Sequence, residues 1–337
     1  MQEASPSVAA NSQSILQAQQ RVRERHARIT AAPPRSFLQL VDLSQAEFNE
    51  LISQALAIKA MPDKYKDALS RRRVALLFQK TSTRTRVSFE TGVFAMGGAP
   101  LYMDWRASNF TLASLKDESR VLSRYVDLIM ARVFSHADLE IMARHSEVPI
   151  INGLSDWCHP CQGLTDYMTM QEYFGELKNL HVVYVGDGNN VCHTLMMGAL
   201  HAAAEITVCT PRGYPPSGEL THRLLDAGVH LRFDNNPATA VKGADVIYTD
   251  TWISMGEEHQ EQQKLGHFAG YQVNEALFEQ APAHTLFMHC LPAHRGVEVS
   301  DGVMDLPRSV VFDQAENRRF AQQALMMWLN ALHTKSQ

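Results

Sequence analysis

The clearest periodicity lies in the second half of the chain. Short apolar runs at 181–186 (HVVYVG), 205–210 (EITVCT), 229–233 (VHLRF), 245–249 (DVIYT) and 285–290 (TLFMHC) read as buried strands. The stretches 190–204, 217–227 and 236–243, between the first four, read as helices. Strands alternating with helices predict a parallel sheet covered on both faces. In such sheets ligands sit beyond the carboxyl ends of the strands, so the residues just after each run are the ones to interrogate. The first half is less regular. A helix is expected over 44–60, with Ser44 as N-cap and Glu47 three residues on, a capping box. Val74 to Phe78 reads as a buried strand, and a helix after the polar residues 79–84 runs to about Met96 with Phe89, Val93 and Met96 on one face. A last helix over 315–333 carries Phe320, Leu325, Met326, Trp328, Leu329 and Leu332, apolar enough to be clamped between other elements.

Residues 1–36 have a different pattern. They are rich in Ala, Ser and Gln, carry Arg21, Arg23, Arg25, Arg28 and Arg35, and close with Pro33-Pro34. Ile15, Leu16, Val22 and Ile29 make too thin an apolar stripe to pack a helix, so a mobile extension is expected. Glu3 and Glu24 argue against a transit peptide.

Composition narrows the function classes. A chain of 337 residues predicts two domains of ordinary size. The 31 Lys and Arg against 36 Asp and Glu give a net charge of −5, which argues against a nucleic-acid binder working through a basic face. No uncharged apolar run reaches the ~18 residues of a membrane span, and no secretory signal pattern opens the chain. Five cysteines are too few, and odd in number, for a disulfide framework. A reducing compartment, the cytoplasm, is the expected location.

Five short segments hold the candidate chemistry. Ser82-Thr83-Arg84-Thr85-Arg86 follows the 74–78 strand and opens a helix. Free N–H groups, the positive end of the helix dipole, hydroxyls and guanidiniums together make an anion site suited to phosphate. The alternative is an ordinary cap with solvent-facing arginines; the Gly-rich run and Lys of a Walker loop are lacking. Arg132 ends the apolar run 128–132, where a buried Arg either meets an anion or caps and salt-bridges. Cys158-His159-Pro160-Cys161-Gln162 admits a redox pair, half a zinc site, or functional His159 and Gln162 beside incidental cysteines. Gly186-Asp187-Gly188-Asn189-Asn190 occupies the place of a dinucleotide fingerprint, but Val191 replaces its third glycine and no acid stands near 210, so it reads as a polar turn aimed at the cleft. Asp250-Thr251-Trp252-Ile253-Ser254-Met255-Gly256 offers a strand-end carboxylate for an ammonium group and a turn able to close over a ligand. His289-Cys290-Leu291-Pro292-Ala293-His294-Arg295-Gly296 places a cysteine at a strand end between His and Arg: a nucleophile, a proton acceptor, a polar contact or an inert buried thiol.

Taken in order, STRTR, HPxQ, DGNN, DxxxSMG and HCLPAHRG resemble the aspartate/ornithine carbamoyltransferase family, over about residues 37–332, and its ornithine branch specifically. The resemblance implies two doubly wound parallel-sheet α/β domains joined by interdomain helices. Residues 37–152 would bind carbamoyl phosphate, residues 153–314 L-ornithine, and the helix in 315–337 would return to the first domain. It implies transfer of the carbamoyl group to the δ-amine of ornithine, giving citrulline and phosphate, with no cofactor and no metal, in homotrimers whose sites lie at subunit boundaries. By this resemblance Ser82, Thr83, Arg84 and Thr85 cradle the phosphate, Arg132 and His159 face the carbamoyl oxygen, Gln162 holds the amide, and Arg318 adds a cation. Asn190, Asp250, Ser254 and Met255 would hold the ornithine backbone and α-amino group, with Cys290 and Leu291 beside the attacking amine. The residue types suit the chemistry, because amine attack on a carbonyl needs charge stabilisation more than covalent help. Cys290 and Asp250 are the candidates to assist loss of the ammonium proton.

One stretch departs from the family pattern. A loop that normally carries a Gln and a Lys is shorter here, with Asn109 in place of the Gln and Lys116 in the Lys neighbourhood. The rival readings are the same chemistry on putrescine, lysine or an acylated ornithine, and a catalytically idle paralogue. Asp250 with Ser254-Met255-Gly256 favours an α-amino acid over putrescine.

Overall fold

A computed structural model describes residues 13–20, 33–253 and 261–335. After a short helical segment at 13–20, the ordered elements are α1 (Gln45–Ala60), β1 (Arg73–Phe78), α2 (Thr83–Ala95), β2 (Ala99–Asp104), α3 (Leu115–Leu122), β3 (Leu128–Arg132), α4 (His136–His145), β4 (Ile150–Leu154) and α5 (Pro160–Phe174). They continue with β5 (His181–Val185), α6 (Asn190–Ala202), β6 (Glu205–Cys209), α7 (Gly218–Asp226), β7 (His230–Asp234), α8 (Pro237–Ala240), β8 (Val246–Thr249), α9 (Glu261–His267), α10 (Glu275–Phe278), β9 (Leu286–His289), α11 (Asp301–Met304) and α12 (Val311–Lys335).

Two parallel sheets organise these elements, with strand orders β2-β1-β3-β4 and β7-β6-β5-β8-β9. Each order reverses direction once, between β1 and β3 in the first sheet and between β5 and β8 in the second. Ligand crevices open beyond the strand ends at such reversals. The four strands that flank them end in the candidate segments: β1 before Ser82, β3 at Arg132, β5 before Asp187, and β8 before Asp250.

Local chemistry accounts for the frame. The Ser44–Glu47 capping box starts α1. Ser82 Oγ accepts from the Thr85 amide to cap α2, and Asn189 Oδ1 accepts from the amides of Val191 and Cys192 to cap α6. Helices α5 and α6 approach so closely that a Cβ on Gly198 would sit 2.0 Å from the Tyr167 ring. The last helix, α12, packs on α1, α2 and α5, burying Phe320, Leu325, Met326 and Leu329. Polar bonds reinforce that junction: Lys59 pairs with Glu172 at 2.7 Å and donates to Asn317 Oδ1 at 2.8 Å.

The expected strands and helices of the second half are present with ends moved by one to a few residues, and α12 starts at Val311 rather than 315. The expected division at 152 falls inside β4, which runs to Leu154. Strands β2 and β4 and helices α3, α4 and α5 carried no expectation. β2 lies at a sheet edge and is largely exposed, so it lacks the continuous apolar run that marks a buried parallel strand. The expectation of a mobile extension through residue 36 is corrected at its end. Arg35 bonds Glu47 at 2.9 Å, Ser36 Oγ accepts from the Ile150 amide, and Phe37 bridges to Ile151.

Candidate active site

The donor half of the cleft forms around the β1–β3 reversal. Ser82 Oγ donates to Thr85 Oγ1 at 3.0 Å, so the capping hydroxyl also fixes the next one. Thr85 is fully buried, and its Oγ1 accepts from Arg318 at 2.8 Å and lies 3.5 Å from Arg132 Nη1. Three guanidiniums therefore converge: Arg84 from the first turn of α2, Arg132 from the end of β3, and Arg318 from α12. Among the described residues none of the three has an ion-pair partner. Burial, then the charges of Arg318 and Arg84, push the Arg132 guanidinium down to about 9. Burial and the same arginine cluster hold His159 well below its ordinary range, so its imidazole is neutral at pH 7. Among the described residues, Arg132 Nε, Arg318 Nε and His159 Nδ1 are buried without hydrogen-bond partners. Unanswered charge and orphaned polar atoms at one place call for an anion. Thr83, at the first position of α2, is exposed.

The acceptor half forms around the β5–β8 reversal. Asp250, 5% exposed, accepts from the Cys290 thiol at 3.0 Å and from Asn189 Nδ2 at 2.8 Å. Burial and the neighbouring Asp250 carboxylate push the Cys290 thiol well above its ordinary value, so it stays protonated and donates. Asn190 turns its amide to the Ser155 carbonyl at 2.7 Å. Asp187 pairs with Lys264 at 2.7 Å, both largely buried. Gly188 is required by a close approach, since a Cβ there would lie 2.3 Å from the Pro215–Pro216 backbone; this turn needs glycine for its own packing. Leu291 holds a positive φ of 58°, a strained conformation for a branched residue, and its amide donates to His289 Nδ1 at 2.8 Å.

A cleft of about 290 Å³ joins the halves, lined by Arg84, Ser88, Gln162, Cys290, Glu316 and Arg318 among others. The structure thus brings together Ser82, Arg84, Thr85, Arg132, His159, Gln162 and Arg318 on one side and Asp250 with Cys290 on the other. Ser254 and Met255 lie outside the described residues. Cys158 and Cys161 are fully buried core thiols bonded to the Leu38 and Asn152 carbonyls. Burial raises both, Cys161 to about 12, so neither is a ready thiolate for redox exchange. The ligand atoms of Asp250, His289 and Cys290 lie within 4.8 Å of one another, with the Cys290 thiol donating to Asp250 and the Leu291 amide donating to His289 Nδ1.

Sequence reasoning missed Asp166, Asn189, Tyr248 and Gln314. Asp166 accepts from Gln162 Nε2 at 2.7 Å, from Gln314 Nε2 at 2.6 Å and from the Tyr248 hydroxyl at 3.2 Å. Its signal was available: an acid four residues after Gln162, in a helix otherwise filled by Leu164, Tyr167, Met168 and Met170.

Fold and site together define a two-domain α/β enzyme that takes an anionic donor between its sheets. The family descriptions agree. The carbamoyl-P binding domain of aspartate/ornithine carbamoyltransferase matches residues 35–172, and the Asp/Orn binding domain matches residues 178–329. An ornithine carbamoyltransferase from Thermococcus kodakarensis is 46% identical over 87% of this chain and 95% of its own length. One from Oceanobacillus iheyensis is 45% identical over 88% of this chain and 94% of its own. The solved ornithine carbamoyltransferase of Pyrococcus furiosus superposes with a TM-score of 0.83 at 44% identity, covering 87% of this chain and 96% of that one. The chain belongs to the aspartate/ornithine carbamoyltransferase family.

Proposed function

We propose that this enzyme transfers the carbamoyl group of carbamoyl phosphate to the δ-amine of L-ornithine, forming L-citrulline and phosphate. The observation that carries the reading is the pairing of three uncompensated guanidiniums with a thiol–carboxylate pair across one cleft. Arg84 with Ser82, Thr83 and Thr85 receives the phosphate. Arg132 and neutral His159 donate to the carbamoyl oxygen as it gains charge, where each donor is worth about 3 kcal/mol. The C–N bond forms, the C–O bond to phosphorus breaks, and Arg84 and Arg318 take up the charge of the departing phosphate. Asp250 receives the α-ammonium of ornithine, with Asn190, Ser254 and Met255 around the amino-acid end and Leu291 beside the chain. Cys290, held protonated, donates to Asp250 and orients it, and the proton that the attacking nitrogen sheds as the C–N bond forms leaves on the departing phosphate.

Assembly as a homotrimer is part of the same reading. Phe94 is 77% and Leu112 is 84% exposed, Val87 is exposed on α2, and Leu101 and Tyr102 are exposed on β2, the edge strand of the first sheet. Asn109 and Lys116 are exposed and do not line the cleft of their own chain, which supports a place for them at a neighbour's site. A cytoplasmic location fits the five free thiols; among the described residues no helix is long and apolar enough to cross a membrane. A citrulline assay with ornithine, putrescine, lysine and acetylornithine side by side tests the acceptor. Ornithine is expected to give the highest kcat/KM, and any other amine in that position overturns the assignment. Light scattering of the purified protein tests the trimer.

A further inference from the structure

Asp166 sits between the two halves of the cleft and touches neither ligand space. It is 1% exposed, on the buried face of α5, one turn beyond Gln162. Its Oδ1 takes two amide donors, Gln162 Nε2 at 2.7 Å and Gln314 Nε2 at 2.6 Å. Its Oδ2 faces the Tyr248 hydroxyl at 3.2 Å.

This arrangement decides which way the Gln162 amide points. An amide offers two donors on nitrogen and an acceptor on oxygen. The neighbour on one side of Gln162 is Asp166 Oδ1; on the other it is Arg318 Nη1, at 2.9 Å from Gln162 Oε1. A guanidinium only donates, so both contacts are satisfied by a single flip. Oε1 then keeps one lone pair beyond the bond from Arg318, and Gln162 lines the cleft. Protonation of Asp166 does not undo this, because Oδ1 is already committed to two N–H groups. The proton can reside on Oδ2 alone, where the Tyr248 oxygen accepts it.

We propose that Asp166 is a positioning residue that, together with Arg318, holds the Gln162 amide in the orientation that leaves an Oε1 lone pair for the ligand, and thereby favours a donor bearing an N–H group, a carbamoyl phosphate, over an acyl phosphate bearing a methyl group in its place. The proposal rests on the carbamoyl-phosphate reading given above. The second glutamine extends the same control across the cleft. Gln314 Oε1 accepts from the His289 amide at 3.0 Å, the residue before Cys290, so one carboxylate oxygen sets the donor-side amide and steadies the acceptor-side strand end.

The experiment compares wild type, Asp166→Leu and Asp166→Asn in the full-length enzyme. Leucine keeps the branching at Cγ, with a larger volume, and removes the acceptor. Asparagine keeps an acceptor at Oδ1 and can donate to Tyr248, as protonated Asp166 would. The readouts are KM for carbamoyl phosphate and for ornithine, and inhibition constants for acetyl phosphate and inorganic phosphate. Loss of one buried hydrogen bond should raise the carbamoyl phosphate KM of the Leu variant about tenfold or more. Its acetyl phosphate and inorganic phosphate constants should move less than about twofold, so that preference for the carbamoyl donor shrinks; the Asn variant should stay within about threefold of wild type throughout. A general disturbance of the fold would weaken all three phosphates alike, and that result, or an unchanged KM in the Leu variant, overturns the proposal. Should the Leu variant not fold, Asp166→Ser, whose hydroxyl is too short to reach Gln162, carries the same comparison. Wild-type enzyme that makes no citrulline would sink the functional reading by itself, so the two failures are distinguishable.

Discussion

The two halves of the cleft are built on opposite electrostatic plans. Among the described residues, the donor half leaves Arg84, Arg132 and Arg318 without ion-pair partners, and His159 neutral. The acceptor half is already paired: Asp250 with Cys290 and Asn189, and Asp187 with Lys264. The first is a site whose free state is costly and whose ligand supplies missing charge. The second must exchange a partner it has for one that arrives. Binding on the donor side should therefore be dominated by charge count, and binding on the acceptor side by hydrogen-bond exchange at Asp250.

The largest effect is expected where charge is uncompensated. Arg84→Ala should lower kcat about 10²–10³-fold while circular dichroism and melting stay near wild type, because this side chain serves developing charge rather than packing. Recovery of more than about a tenth of wild-type activity would show that two guanidiniums suffice. Next comes Asp250→Asn. Removing one partner of a desolvated ion pair costs about 2–5 kcal/mol, so the ornithine KM should rise about thirtyfold or more. Carbamoyl phosphate binding, measured by calorimetry, should be nearly unchanged; equal weakening of both ligands would erase the distinction between the halves.

A stability effect should follow from the other acceptor-side pair. Lys264→Met removes the ammonium paired with the largely buried Asp187, a loss of about 3 kcal/mol, which lowers Tm by about 6 °C in a protein of this size. A change below about 1 °C would mean that the pair contributes nothing net. The last signal is a slope with pH and concerns Asp166, which burial raises to about 7. A carboxyl raised above its unfolded value of about 4 keeps its proton in the fold after the unfolded chain has lost it. Its contribution is fully present below about pH 4 and declines as pH rises toward about 7. Melting temperatures of wild type minus those of Asp166→Asn should fall across that window; a flat difference excludes the linkage.

Much of this was legible in the sequence wherever one face of an element speaks for itself. Buried parallel strands are continuous apolar runs, and so β1, β3, β5, β6, β8 and β9 stand out. An edge strand such as β2, exposed at Ala99, Leu101 and Tyr102, has no such mark. The strand-end rule pointed to Arg132, Asp250 and Cys290 before any coordinates. It is silent on residues that act from behind. Asp166 and Gln314 lie within helices and reach the cleft through another side chain, and the two are 148 positions apart in the chain. The Asn189–Asp250 bond was hidden by the doublet Asn189-Asn190, in which spacing alone does not say which amide faces the carboxylate.

The return of α12 has a consequence for the order in which the protein becomes competent. Arg318 bonds Thr85 across 233 positions of chain, and Gln162 across 156. A nascent polypeptide that has completed its first sheet holds two guanidiniums of the three and lacks the one that links Thr85 to Gln162. Its donor pocket is finished only after the second sheet has been synthesised and the last helix has folded back. Each protomer therefore reports its own completeness: the donor pocket closes only when α12 is in place, and a chain cut before Arg318 leaves it unfinished.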